Sequence, residues 1–345
     1  MTDLLQNFAK VHDCAIGVCS PSPLPKEHYG FTPFVSRDIN KRTNPAAILP
    51  GVKSIVVIGV GWSSSSEQKM ADGHNVHTYP ATQGFFFQLT SQSSQLNFLP
   101  PELSSLGTAS DYHPKVKSIL RQLVKNLPPH TKYKILVDSP GLDERAFAHR
   151  AGIGFFGRNG LIISPQFGSR FNIGLLLTDI SPEEWGIEKI QLVTHSHQLK
   201  KFLPVIQMDT SCTQRDGSFH SAGKSQLKPA CPSDCHRCIT ACPTSALSLG
   251  KSLDVNRCVS YLTQKPGELS PEEKTLIGNQ LYGCDICQDV CPFNLPREKC
   301  YVDPQEWLAM DDTAFEEKYG HTGMLWQGAA ILRRNAQVAV DNSNQ

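Results

Sequence analysis

No stretch of this chain approaches the ~20 consecutive apolar residues that span a bilayer, so a membrane protein is not expected. Nor does it open on a basic segment followed by an apolar run. Met1-Thr2-Asp3-Leu4-Leu5 carries neither, so no secretory signal is read here. An excess of one charge is also missing: 33 Lys and Arg face 32 Asp and Glu, a net +1. That excludes a chain that draws nucleic acid by its overall field, and any such partner would need a local basic patch. No internal repeat is present. Together these absences point to a reducing, cytoplasmic setting.

What the sequence has is cysteine, twelve in 345 residues. Eight of them form two arrays that each end in Cys-Pro: Cys231, Cys235, Cys238, Cys242-Pro243, and Cys258, Cys284, Cys287, Cys291-Pro292. Iron–sulfur motifs of the bacterial ferredoxin type have this form. The last cysteine of each run precedes proline and ligates the cluster of the other motif. By that crossover, Cys231, Cys235, Cys238 and Cys291 hold one cubane, and Cys258, Cys284, Cys287 and Cys242 hold the other. The prolines stop the local helix and let the chain turn away. Two departures from the ideal run stand out. Three residues, not two, separate Cys231 from Cys235, and Cys258 lies 26 positions before Cys284, across a helical excursion from Pro271 to Leu281.

Zinc is the alternative metal, because C-x2-C pairs also build structural zinc sites. Eight cysteines in two C-x2-C-x3-C-P runs suit clusters better. A disulfide framework suits small secreted chains, unlike this one. Cys14, Cys19, Cys212 and Cys300 belong to no motif and read as ordinary small buried or partly buried residues.

The rest of the chain is long enough for two or three domains with cores of their own. Residues 4–12 read as an amphipathic helix, and prolines crowd positions 21–50. Ser54 to Val60 is an apolar, β-branched run expected as a buried strand. Residues 61–110, rich in Ser and Gln, are expected as long loop, with Phe85-Phe86-Phe87 as a buried anchor. Val116, Ile119, Leu120, Leu123, Val124 and Leu127 recur at helical spacing and predict a helix over 115–127. Tyr133 to Val137 reads as another buried strand that stops at Asp138. Asp143-Glu144 then open a helix through Arg150, where acidic residues suit the N-terminus, and the helix ends at Gly152. Leu161-Ile162-Ile163 and Ile173 to Leu177 are further strands, and Ala329 to Val340 is a closing helix. Strands and helices ahead of a cysteine-rich module predict an α+β or α/β domain joined to a ferredoxin-like one.

Several segments together resemble the epoxyqueuosine reductase family of cobalamin-dependent iron–sulfur enzymes of tRNA modification. They are Val137-Asp138-Ser139, Ala151 to Asn159 (AGIGFFGRN), Gly168-Ser169, Ala241 to Leu247 (ACPTSAL), Arg257 to Thr263 (RCVSYLT) and Tyr282 to Pro292 (YGCDICQDVCP). The likeness runs from about residue 40 to 336. It implies a nitroreductase-like cobalamin-binding catalytic domain over 1–228, a ferredoxin-like domain with two 4Fe-4S clusters over 229–300 and a helical C-terminal tail over 301–345. It also implies reduction of the epoxide of epoxyqueuosine in the tRNA anticodon loop, with a reduced protein as electron donor and no membrane.

Asp138 matches the proposed proton donor of that family. Asp111 and His113 match a segment near the cobalamin. Gly152, Gly154 and Gly157, with Arg158, Asn159 and Ser169, match its cofactor-binding loops. The chemistry agrees: removing an epoxide oxygen as water takes two electrons and two protons, and clusters pass electrons singly. A cofactor must pair them, and an acid must meet the leaving oxygen. A carboxyl at the end of a buried strand, its pKa raised by burial, is suited to that role. A turn or N-cap role is the alternative for Asp138. A helix C-cap is the alternative for Gly152.

This chain departs from the family pattern at Arg158, where lysine is usual, and along Arg170 to Leu176. Those changes favour a second reading, a cobalamin–iron–sulfur reductase of a small molecule akin to reductive dehalogenases. A third is an electron carrier, which leaves the first ~230 residues without a task. Arg150, Arg158, Arg170, Arg333 and Arg334 are the candidate basic contacts for tRNA, against a plain solvated surface.

Overall fold

The computed structural model describes residues 1–26, 36–62, 77–79, 101–186, 231–297 and 299–343. The Phe85–Phe87 triplet, Cys212 and the stretch 187–230 lie outside them. Contacts divide the chain into two units. One comprises Met1–Gly61, His113–Gly157 and Leu161–Ser233, the other Trp62–Tyr112, Arg158–Gly160 and Asp234–Gln345.

The first unit is built on a four-stranded sheet in the order Cys14–Cys19, Ser54–Gly61, Phe171–Thr178, Tyr133–Val137. Every pairing in it is antiparallel, so of the two expected classes this sheet belongs to α+β. Ser54–Gly61 is central and buried on both faces, which is why its sequence is a continuous apolar run and does not alternate. On one face Ile55, Val57, Leu175 and Leu177 pack with Phe147 and Ala148 of the helix Glu144–Arg150. On the other, the helix Tyr112–Val124 lies close enough that a Cβ added at Gly174 would come within 2.6 Å of Val116 and 3.0 Å of Leu120. Trp185 is fully buried, donating its indole N–H to Ser54 Oγ at 2.8 Å.

Tyr133–Val137 has the expected bounds but is an edge strand. Tyr133 is 47% exposed, and full burial begins only at Leu136. Its apolar run is therefore less informative than that of Ser54–Gly61, because among the described residues one side has no strand partner in this sheet.

The second unit carries a sheet in the order His77–Tyr79, Lys299–Tyr301, Glu102–Leu103, Gln280–Tyr282. This corrects the reading of 61–110 as loop throughout. Glu102–Leu103 is a buried strand, and Ser105–Thr108 is a short helix capped by Ser104. Both take their stability from residues ~180 positions away, a signal that local composition does not carry. Trp307, Phe315 and Tyr319 stack edge to face around a core that includes Leu332 and Ala336 of the helix Ala329–Ser343. Asn335, fully buried in that helix, donates to the carbonyls of Thr263 and Leu281. The C-terminal helix is thus sewn to the cysteine-bearing chain and is part of its core.

Cys14, Cys19 and Cys300 are buried, and burial pushes the Cys14 and Cys19 thiols up to about 12, as fits inert core residues. No helix among the described residues is long and apolar enough to cross a membrane. Gly174→Val should lower stability by about 1–3 kcal/mol by overpacking the helix–sheet contact. Urea denaturation monitored by circular dichroism measures it.

Candidate functional site

In the cysteine module, two short helices carry the runs. Arg237–Ala241 precedes Cys242-Pro243, and Ile286–Asp289 precedes Cys291-Pro292. The excursion between Cys258 and Cys284 is the helix Pro271–Ile277, opened by a Ser270–Glu273 capping box and closed before Leu281 by Gly278. Chain then returns as the strand Gln280–Tyr282. At the next residue Gly283 turns with φ +69°, its N–H bonded to Thr263 Oγ1 at 2.9 Å. A Cβ at Gly283 would lie 2.2 Å from Ser104 Oγ, so only glycine places Cys284 here.

This return sets several of the array's thiols in one another's field, and among the described residues they form no group spaced to hold a metal ion. Burial raises the Cys284 thiol well above its ordinary range, and the charges of Cys287 and Cys258 raise it further. Burial also raises Cys287 to about 12, with Cys258, Asp285, Cys238 and Cys242 adding to it. Cys258 is raised by burial and, among charges, by Cys242. Cys258, Cys284 and Cys287 thus feel one another's charge, and Cys242 acts on Cys258 and Cys287. Ionising several of them requires a strong cationic centre, and a thiolate-ligated iron–sulfur cluster is such a centre. The other expected set is connected differently. Cys238 lies in the field of Cys287, and Cys235 accepts a hydrogen bond at its carbonyl from the Arg158 guanidinium. Cys231 and Cys291 are each half-buried.

The Cys284–Cys291 run is fixed by a charged network. Arg297 reaches Glu102 at 2.6 Å, Asp289 at 2.9 Å and Asp285 at 3.2 Å, and Lys299 reaches Glu102 at 3.2 Å. Asp285 also accepts the N–H of Ser105 at 2.6 Å. Burial works against the Arg297 charge, but Asp285, Asp289 and Glu102 outweigh it and hold its pKa above the ordinary value. Nothing in the local sequence marked this network, which joins positions 195 residues apart.

In the first unit Asp138 follows the edge strand Tyr133–Val137 with φ +47°, a left-handed conformation that few residues other than Gly, Asn and Asp accept. Its side chain is 72% exposed, and His113 Nε2 lies 4.0 Å from its Oδ2. The burial expected of Asp138 is therefore not found. The carboxyl on which burial acts is that of Glu144, six residues on. Glu144 is partly buried and accepts the N–H of Asp138 at 3.1 Å and of Ser139 at 2.8 Å. Burial pushes it up to about 8, opposed by the Ser139 N–H and reinforced by the charges of Asp138 and Asp143. The sequence showed Glu144 only as an acidic residue in a helix's first turn.

The remaining expected contacts are distributed as follows. Gly152 has φ +76° just past the helix Glu144–Arg150, a capping position. Gly154 sits in the hairpin of Phe155–Phe156 with Ile162–Ile163, where an added Cβ would meet Ile163 O at 2.3 Å. Gly157 closes the hairpin loop by donating to Leu161 O at 2.8 Å. Asn159 and Ser169 are buried. Asp111 donates its N–H to His321 O at 2.8 Å. Among the basic residues, Arg150 donates to the Ser20 carbonyl, Arg333 to Met310, and Arg334 to the carbonyls of Lys265 and Leu262. Each of these three arginines thus holds the fold at its own site.

Residues 231–294 match the family model of a 4Fe-4S double cluster binding domain. The epoxyqueuosine reductase of Bacillus subtilis (strain 168) is 31% identical over 322 residues, covering 89% of this chain and 67% of that one. The chain belongs to the epoxyqueuosine reductase family. A solved epoxyqueuosine reductase with an epoxyqueuosine-modified tRNA-Tyr stem loop superposes with a TM-score of 0.69 at 26% identity, covering 99% of this chain and 80% of that one. So does a Bacillus subtilis epoxyqueuosine reductase whose catalytic aspartate loop is swung out of the active site. Its TM-score is 0.66 at 26% identity, with 99% of this chain and 81% of that one covered. Membership of this family makes the chain an oxidoreductase and leaves the bare electron carrier without support.

Two outcomes are expected. Cys242→Ser should remove the cluster of Cys258, Cys284 and Cys287 and lower iron from ~8 to ~4 per chain, while the Cys231–Cys238 cluster survives. Iron assay with electron paramagnetic resonance checks this. For Glu144, whose ordinary value is 4.5, a folded-state pKa near 8 means that stability falls as pH rises through that window and levels above it. Glu144→Gln should flatten this segment of the stability–pH curve, measured by thermal unfolding between pH 4 and 9.

Proposed function

We propose that this chain reduces the epoxide of epoxyqueuosine in a tRNA anticodon loop to the alkene of queuosine, releasing water. Family membership across 89% of the chain carries the reading, joined to a solvent-facing Asp138 in the unit that does not hold the clustered thiols. The 1–228 segment is then the catalytic part, on a nitroreductase-like plan, 229–300 the electron supply and 301–345 its helical tail. A reduced carrier protein is the proposed donor, in a reducing compartment that keeps the thiol ligands free.

The balance is two electrons and two protons for each oxygen removed as water. Clusters deliver electrons singly. When bound, a corrin cobalt supplies a centre that changes by two electrons and bonds to carbon. The residues present fit that group in one respect: an acid serving it must be reachable, and Asp138 is. His113, Gly152, Gly154, Gly157 and Ser169 are proposed to hold it from the first unit. Asp111, Arg158 and Asn159 are proposed as contacts on the sequence resemblance.

Asp138 is the group that delivers a proton to the departing oxygen in this reading. His113, 4.0 Å away, is placed to return a proton to the spent carboxylate. No large positive face is required. A single-stranded loop is read by a pocket and a few phosphate contacts, which suits a net charge of +1.

Asparagine also tolerates the left-handed turn at 138, so Asp138→Asn should fold, bind its cofactors and lose turnover by about a hundredfold or more. Restoration of queuosine in the tRNA of a reductase-deficient cell tests the reading. The parent chain should restore it and Asp138→Asn should not. A parent chain that carries its cofactors and restores nothing overturns it in favour of the small-molecule substrate.

A further inference from the structure

We propose that Glu144 is the positioning residue of the Asp138 turn. Its two carboxyl oxygens take the backbone N–H groups of Asp138 and Ser139, and in doing so they aim the Asp138 side chain. The inference rests on the reading of Asp138 as proton donor and extends it to the group that sets the donor's geometry.

Three observations lead here. Asp138 leaves an edge strand in a left-handed conformation, so the strand ladder does not dictate where its side chain points. The two amides at and after that bend run to separate oxygens of one carboxyl, Oε2 at 3.1 Å and Oε1 at 2.8 Å. Glu144 itself is rigidly based. It is the first residue of a helix capped by Asp143 Oδ1 at 3.1 Å, and Phe147 and Ala148 of that helix are fully buried against the central sheet. A geometry needed to within about half an ångström is thus referred to the core through one side chain. A carboxyl that burial disfavours in its ionised form is an expensive choice for packing alone. It is an apt choice for binding two adjacent N–H donors, since no other side chain of this length offers two acceptor oxygens.

The rest of the turn leaves this latch a distinct task. Gly141 N–H bonds to Ser139 Oγ at 3.2 Å, and the Pro140 carbonyl accepts from Ser36 N–H at 2.9 Å. These bonds fix the far end of the turn. The Asp138 end is fixed by Glu144.

The test compares Glu144→Ala, Glu144→Gln and Asp138→Asn in the cofactor-loaded protein with an epoxyqueuosine-containing stem loop. Removing both acceptors should lower kcat roughly ten- to a hundredfold with little change in KM, because the donor is misplaced and substrate contacts are not. Glutamine keeps one acceptor and should recover part of that loss. Hydrogen exchange of the peptide spanning Val137 to Gly141 should quicken in Glu144→Ala, while Ser54–Gly61 stays protected. Wild-type kcat in a folded Glu144→Ala, or unchanged exchange at the turn, overturns the proposal. So does an unfolded Glu144→Gln, which would make the residue a structural support. If Asp138→Asn keeps full turnover, the underlying reading fails first, whatever Glu144 does. If Asp138→Asn is inactive and Glu144→Ala is not, this inference fails alone.

Discussion

Burial makes the place of Cys258, Cys284 and Cys287 hostile to thiolates, and their charges, with that of Cys242 on Cys258 and Cys287, add to the cost. A metal centre of high positive charge relieves that conflict, and much of the second unit is arranged to impose it. Gly283 admits the chain where a side chain would strike Ser104. Arg297 gathers Glu102, Asp285 and Asp289 around the run that carries Cys284 and Cys287. Asn335 ties the last helix to the carbonyls on either side of the excursion. Metal binding and folding of this unit are thereby coupled: ligands must lose protons for clusters to assemble, and the thiols meet only in the folded chain.

The first unit solves a different problem. As the proposed proton donor, Asp138 faces solvent, and exposure removes the environment that would otherwise aim it. In this proposal the exposed acid and the Glu144 carboxyl that takes its backbone N–H divide exposure and positioning between them. Two hydrogen bonds to one carboxyl, each worth about 1 kcal/mol, are enough to favour one orientation of the turn.

What was legible in the sequence was local. Cysteine spacing announced the double-cluster domain. The apolar run of Ser54–Gly61 and the helical period of Tyr112–Val124 announced the core, because burial on both faces or on one stripe leaves a pattern in consecutive residues. Asp138 was found through its strand end and its motif, but the reason given for its acidity, burial, belongs to its neighbour. Glu144 was visible only as a first-turn acid, since its partners are backbone amides that carry no residue code. The strand Glu102–Leu103, the Arg297 network and the seat of Gly283 depend on contacts nearly two hundred positions apart. No window of sequence contains both halves of such a contact.

The central claim is that the clustered thiols of one unit and the exposed acid of the other serve a single reaction, removal of an epoxide oxygen from a tRNA base. The most direct measurement is mass analysis of a defined stem loop bearing epoxyqueuosine, incubated with purified protein, cobalamin and a low-potential reductant. The account predicts a product lighter by one oxygen, the queuosine stem loop, formed only when reductant and cobalamin are both supplied. An unchanged stem loop in the presence of protein that carries both clusters and cobalamin would contradict it.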